Sequence, residues 1–351
     1  MIDNCSVLIE RIRERCTQRW TLMEVCGGQT HALLKHGIDQ LLIESVALIH
    51  GPGCPVCVTA TERIDQALDL ARRADVILCS YGDMLRVPGS DGLDLLGLRS
   101  QGADVRVLYS PLDALEIARD ARDRLVVFLA VGFETTAPAT ALLAQRTLAE
   151  GLSNLKLLLA HVRVAPVLDP LLSDPACAVQ GLLAAGHVCA VVGEQEYVDL
   201  AERHRLPIVV TGFSPQELLQ GILQCIEQLE DGRHQLENAY RGVVNPQGNG
   251  EARALVEAVF EPADTVWRGL GLIPGGGYQL RRAFAGLSID QAGRNPIAPC
   301  PELCPSARVL QGLMRPPDCE HFGGACTPEH PLGAPMVSSE GACAAYYHYQ
   351  R

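Results

Sequence analysis

LVVFLAVGFETTAPATALLAQRTLAE, residues 125–150, sets the fold class. Its opening run, Leu125–Val131, is apolar throughout, short, and rich in valine. That is the pattern of a strand buried on both faces. Gly132 breaks the run, and Phe133-Glu134-Thr135-Thr136 leads into a helical stretch over Ala137–Glu150. Thr135 or Thr136 suits a helix cap, and Pro138 suits the first turn. A buried strand passing directly into a helix is the repeating unit of a parallel α/β sheet.

The same alternation continues on both sides. Strands are predicted at Leu22–Val25, Val46–Ile49, Asp75–Cys79, Val105–Tyr109, Leu155–Leu159, Val188–Val192 and Ile208–Thr211. Helices fall between them at Thr59–Arg73, Leu112–Arg122 and Pro215–Glu230. Parallel strands joined this way require right-handed crossovers. The first residues, through Trp20, read as a helix with Val7, Leu8, Ile12 and Trp20 as its apolar members. After Asp231 the texture changes: helices at His234–Arg241 and Ala252–Phe260 are followed by Gly275-Gly276-Gly277 and a Pro/Cys-rich tail. The expected layout is two parallel-sheet α/β domains, 21–125 and 126–230. A third domain, mostly helical or irregular, is expected from 1–20 and 231–351. The tail has little apolar periodicity, so a metal or cluster is expected to fix it.

Composition narrows the class. The chain has 351 residues, of which 48% are hydrophobic, which is too apolar for disorder. A net charge of −12 disfavours a broad nucleic-acid surface. No apolar run approaches the roughly 20 residues of a membrane span. The start, MIDNCSVLIERIRERC, is charged and amphipathic rather than a secretory leader, so a cytoplasmic location is expected. Neither G-x-x-x-x-G-K-[ST] nor G-x-G-x-x-G follows a strand, so no P-loop or standard dinucleotide site is indicated.

In a reducing compartment the 14 Cys are core residues, metal ligands or redox groups rather than a disulfide scaffold. Three sets stand out. Cys26-Gly27-Gly28-Gln29-Thr30-His31 lies between a strand and a helix, where exposed N–H groups favour an anion. Its thiolate should therefore be favoured, making Cys26 a candidate nucleophile or soft-metal ligand, unless the turn merely binds an anion. Gly51-Pro52-Gly53-Cys54-Pro55-Val56-Cys57 also follows a strand. Its two cysteines can form a small-ring redox disulfide or half of a zinc site. Cys300, Cys304, Cys319, Cys326 and Cys343 crowd the tail and suit either zinc or a 4Fe–4S cluster. His321 and His330 are weaker substitutes there. Cys79, Cys189 and Cys225 read as core, while Cys5, Cys16 and Cys177 carry no motif. Glu134 is not explained by a helix cap, and in a parallel sheet its loop would line a ligand crevice. His161 and His187 read as structural.

Taken jointly, MEVCGGQTHAL, IHGPGCPVCVT, VGFETTAPATA and CTP…PMVSSEGACAAYY resemble the hydrogenase maturation factor HypD family, in the family's order along nearly the whole chain. The resemblance implies two α/β domains flanking a cleft and a third domain with a 4Fe–4S cluster. It implies a redox-active metallocentre assembly protein that builds the iron–dicyano–carbonyl centre of nickel–iron hydrogenases. Expected partners are a HypC-type small chaperone, a HypE-type cyanide donor and, indirectly, the hydrogenase large subunit. Nucleic acid and membrane are not expected. By motif match, Cys26 would hold the iron being assembled, and Cys54 and Cys57 would be a redox pair. Cys304, Cys319, Cys326 and Cys343 would ligate the cluster, with Cys300 competing for the first position. His31 and Glu134 would lie in the cleft. An electron path from cluster to Cys54/Cys57 to the iron at Cys26 follows as the expected mechanism. A disulfide reductase acting on thiols and a zinc-stapled binding scaffold are the competing functions.

Overall fold

The computed structural model describes residues 2–289 and 304–349. Eleven strands are present among them: β1 Trp20–Glu24, β2 Val46–His50, β3 Val76–Ser80, β4 Val105–Val107, β5 Leu125–Gly132, β6 Leu155–His161, β7 Gly181–Ala185, β8 Ile208–Thr211, β9 Leu236–Asn238, β10 Phe260–Trp267 and β11 Gly271–Leu280. They form a five-stranded sheet in the order β2-β1-β7-β8-β9 and a four-stranded sheet in the order β4-β3-β5-β6. Every pairing within these two sheets is parallel. β10 and β11 make a separate antiparallel hairpin.

The α/β character read from residues 125–150 is therefore present: β5 is buried along nearly its whole length and feeds the helix Ala137–Ala149. One apolar core joins the two sheets. Met23, Leu182 and Val210 enter it from the five-stranded sheet, and Leu78, Val127 and Leu129 from the four-stranded one.

Sheet membership does not follow two consecutive blocks of sequence. Residues 21–125 supply β1 and β2 to one sheet and β3 and β4 to the other, while β7 and β8 return to the first. The reason is a pairing that sequence spacing cannot reveal: Leu22–Glu24 of β1 pair with Gly181–Leu183 of β7.

Three local readings need correction. Val188–Val192 is helical, within Gly186–Val192, because Gly181–Ala185 already fills the place between β1 and β8. A short apolar run does not distinguish the two states. The predicted helix His234–Arg241 gives way to β9, which takes up the open edge of β8. The first helix stops at Arg15, and Trp20 instead opens β1, pairing with Val46 and donating its indole N–H to Glu230 Oε1 at 2.6 Å. Gly275–Gly277 lies inside β11. No described helix is long and apolar enough to cross a membrane.

Candidate functional site

Cys26 stands at the N-cap of the helix Gly27–Lys35, immediately after β1. Gln29 pins that helix to the sheet by donating to the carbonyls of Ala184 and Thr211, at 3.2 and 3.1 Å. The Gly51–Gly53 loop after β2 lies directly against it. Gly51 N–H donates to the Glu24 carbonyl at 2.8 Å, and Gly27 N–H donates to the Gly53 carbonyl at 2.9 Å. A Cβ on Gly53 would sit 2.3 Å from the Cys26 nitrogen, so only glycine allows this approach. Neighbouring parallel strands thus bring two sequence motifs into one backbone-bonded unit.

Cys54 and Cys57 form a disulfide across the start of the short helix Pro55–Val58, and both are buried. Cys57 N–H also points at Cys54 Sγ, at 3.2 Å. Of the two sequence alternatives for this pair, the structure adopts the disulfide.

The surroundings of Cys26 work against the ionisation expected of a helix-start thiol. Burial pushes its thiol up to about 12, and the nearby carboxylates of Glu24 and Glu340 add to the effect. The N–H groups of Gln29 and Gly28 do oppose the shift, as a helix start should, but they are outweighed.

Glu134 is buried beyond the end of β5. Its Oε1 accepts from Val164 N–H at 2.9 Å, while its Oε2 is buried with no hydrogen-bond partner among the described residues. Burial raises its carboxyl to about 7, against the partial help of its backbone contacts and Arg163. Thr136 holds the N-cap position without the expected cap bond; its hydroxyl turns back to the Phe133 carbonyl at 3.2 Å. His161 is structural, bonded to Thr140 Oγ1 at 2.9 Å and pushed down to about 4 by burial. His187 stacks on Phe213 with ring centroids 3.8 Å apart.

Cys304, Cys319, Cys326 and Cys343 line one hollow, with Ser306, His321 and Met336 around them. All four are free thiols. Cys343 is pushed well above the usual thiol range by burial and by Cys304, Cys326 and Cys319. Among the described residues, no three His, Cys, Asp or Glu side chains are placed to hold a single ion together. His330 is exposed, and Cys300 lies outside the described residues. Cys79, Cys189 and Cys225 are buried as expected.

The tail that carries this hollow is docked on both motifs. The helix Ala342–Tyr349 packs on Gly27–Lys35, where the Tyr349 hydroxyl meets His31 Nε2 at 3.0 Å. The turn Ala334–Met336 packs on Pro55–Val58. A Cβ on Gly27 would come within 2.5 Å of Glu340, so the tail's SSEGAC segment closes over the CGGQTH turn. The structure therefore gathers Cys26, His31, Cys54 and Cys57 with the tail, while Glu134 sits at the end of the other sheet.

Sequence reading missed Glu24, His50, Glu340 and Tyr197. Glu24 and His50 carried a usable signal, since each is a charged or titratable residue closing an otherwise apolar strand just before a turn. Tyr197 carried none. Its buried hydroxyl has no hydrogen-bond partner among the described residues, and burial, then Cys189 and Glu134, push it well above the usual range.

Comparison with known proteins gives one consistent answer. Residues 3–350 match the family HypD, described as "Hydrogenase formation hypA family". The chain is 44% identical over 344 residues to the hydrogenase expression/formation protein HupD of Azotobacter chroococcum mcd 1, covering 95% of this chain and 90% of that one. It is 44% identical over 335 residues to the hydrogenase maturation factor HypD of Rhodobacter capsulatus, covering 93% and 89%. Against the HypD of Escherichia coli K12, identity is 42% over 358 residues, covering 98% and 95%.

Proposed function

The chain belongs to the hydrogenase maturation factor HypD family, and from that premise we propose that it matures nickel–iron hydrogenases as the scaffold on which the iron–dicyano–carbonyl centre is assembled. The iron is its substrate, held by Cys26 together with a thiolate of a HypC-type chaperone, while a HypE-type partner delivers cyanide. Soft thiolates suit iron carrying cyanide and carbon monoxide. The observation that carries this reading is the backbone-bonded union of the Cys26 turn with the Gly51–Gly53 loop of the disulfide. It sets a partly exposed thiol and a two-electron couple on neighbouring strand ends.

The chemistry of each group follows from its surroundings. Cys26 keeps its proton, with its thiol raised to about 12, until a metal ion displaces it. The Cys54–Cys57 disulfide opens by taking up two electrons and two protons, replacing one S–S bond with two S–H bonds. Closing the disulfide again gives up the same two electrons and two protons, and so requires an electron acceptor at the site. Burial of both sulfurs disfavours a bulky protein thiol as the substrate of a reductase, while a small dithiol meets less hindrance.

The tail fits an iron–sulfur centre. Four free thiols line one hollow, a donor set that suits zinc or an iron–sulfur cluster, and membership of the family favours the cluster. A 4Fe–4S cluster held by Cys304, Cys319, Cys326 and Cys343 would supply one-electron redox chemistry there. This chain's part is to supply the four thiols and to pack Ala334–Met336, which borders that hollow, against the disulfide turn.

Replacing Cys26 by Ala tests the scaffold role. The variant, purified anaerobically with its HypC-type partner, should lose the cyanide and carbonyl infrared bands while keeping the visible absorbance of the cluster. Full bands in that variant would remove Cys26 from the proposed role.

A further inference from the structure

Beneath the Cys26 turn lies a buried polar group that the reading above leaves unused. Glu24 and His50 are register partners at the last paired position of β1 and β2, with side chains 0% and 4% exposed. Glu24 gathers three donors. Its Oε2 accepts the Cys26 N–H at 2.8 Å, and its Oε1 faces His50 Nδ1 at 2.7 Å and accepts the Thr30 hydroxyl. The carboxylate fixes the His50 tautomer by taking the Nδ1 proton as a hydrogen bond. The other ring nitrogen is buried without a hydrogen bond among the described residues, and the ring meets Tyr346 edge-on. A buried polar pair of this kind adds little net stability over apolar packing of the same volume.

We propose that Glu24 and His50 are positioning residues that couple the Cys26 turn to the redox state of the Cys54–Cys57 disulfide; this rests on the roles given to those cysteines above. The geometry supplies a route in both directions. The Glu24 side chain holds the Cys26 amide, and its main-chain carbonyl holds Gly51 at the start of the disulfide loop. His50 precedes Gly51 directly, so its ring anchors the same loop from the other side. Gly53 lies flush against the Cys26 nitrogen, leaving no slack between the two turns. When the disulfide opens, its sulfurs separate to non-bonded distance and Cys54 must shift. Through Gly53 that shift reaches Cys26, and the Glu24–His50 bond keeps the two strand ends moving as one.

The test uses the full chain, held oxidised or reduced anaerobically with dithiothreitol, which closes to its cyclic disulfide as it delivers two electrons and two protons. After desalting, the rate of Cys26 alkylation by iodoacetamide is followed by peptide mass spectrometry at one fixed pH. In the unmodified protein the two redox states should differ by about fivefold or more, the range of ordinary site-to-site coupling. In E24Q the amide offers one acceptor to three donors, and the two rates should converge. T30V removes a donor but keeps the acceptor, so its two rates should stay apart. Equal rates in the unmodified protein overturn the proposal, yet leave the iron-holding role of Cys26 to its own infrared test. Persistent coupling in E24Q overturns it too, as does equal loss in T30V, which would signal general loosening. Should E24Q not fold, His50→Leu, which removes the donor to Glu24, is read in the same way as E24Q.

Discussion

Cys26, Cys54 and Cys57 follow strands whose register fixes their backbone, whereas Cys304, Cys319, Cys326 and Cys343 stand in a segment with short helical turns and no named strand among its described residues. The first group is positioned before anything binds. Glu24 pairs with His50 at the sheet edge, Gly27 bonds Gly53, and Gln29 ties the following helix to two strand ends. The second group lines a hollow whose walls are held largely from outside. Ser338 donates to Asp83 at 2.9 Å, Arg86 donates to the Pro328 carbonyl, and Tyr349 meets His31. The difference is that sheet pairing alone fixes the Cys26 turn, whereas the tail is held by contacts from outside and, on the proposed reading, by its cluster as well.

The strongest way to break this comparison is Cys343→Ser. Removing one of four thiols from the hollow should abolish the visible absorbance of the cluster. Folding energy of the tail should fall by about 5 kcal/mol or more, since metal binding in such segments is folding energy. Hydrogen exchange should then show residues 304–349 losing protection while β1 and β5 keep theirs. Equal loss of protection in the strands would mean that the two regions are not built independently.

A subtler test concerns what the sheets do to polar groups at their ends. Burial lifts the Glu134 carboxyl from its ordinary value near 4.5 to about 7. Between those values the folded chain binds more protons than the unfolded one, so this group's contribution to stability falls as pH rises through the window. The total is roughly 3 kcal/mol for a shift of this size. Glu134→Gln keeps an acceptor for Val164 N–H and does not titrate. Urea titrations at pH 4.5 and pH 7 should therefore show the unmodified protein gaining on the variant as the solution is acidified. A difference independent of pH would place Glu134 in contact with solvent after all.

The same contrast explains what could be read from the sequence. Leu125–Val131 was legible because a strand buried on both faces has an apolar signature of its own, and the helix read at Pro215–Glu230 is found over that same span, closed at its start by a Ser214–Glu217 capping box. The cysteine motifs were legible as motifs; the crowding of five tail cysteines pointed to a site, and the choice of four among them came from the family resemblance. What could not be read was anything decided by distant pairing. β9 exists because β8 has an open edge, and β7 rather than Val188–Val192 fills the central place beside β1. The balance of influences on Cys26 could not be read for a related reason. Helix-start geometry is local and visible, whereas the burial that outweighs it comes from packing, with Glu24 and then Glu340 adding smaller shares.

The smallest expected effect lies at the joint between the two regions. Tyr349→Phe removes only the hydroxyl that meets His31 Nε2, a contact on a partly exposed surface, and should cost under about 1 kcal/mol of global stability. Its value is diagnostic. If the tail is docked chiefly by the packing of Ala342–Tyr349 on Gly27–Lys35, the variant should fray only its last turn in hydrogen exchange, leaving the cluster absorbance and the infrared bands at Cys26 unchanged. If those bands weaken instead, His31 needs its tyrosine to hold a fixed orientation. The tail would then act on the Cys26 turn directly, not merely as a neighbour packed beside it.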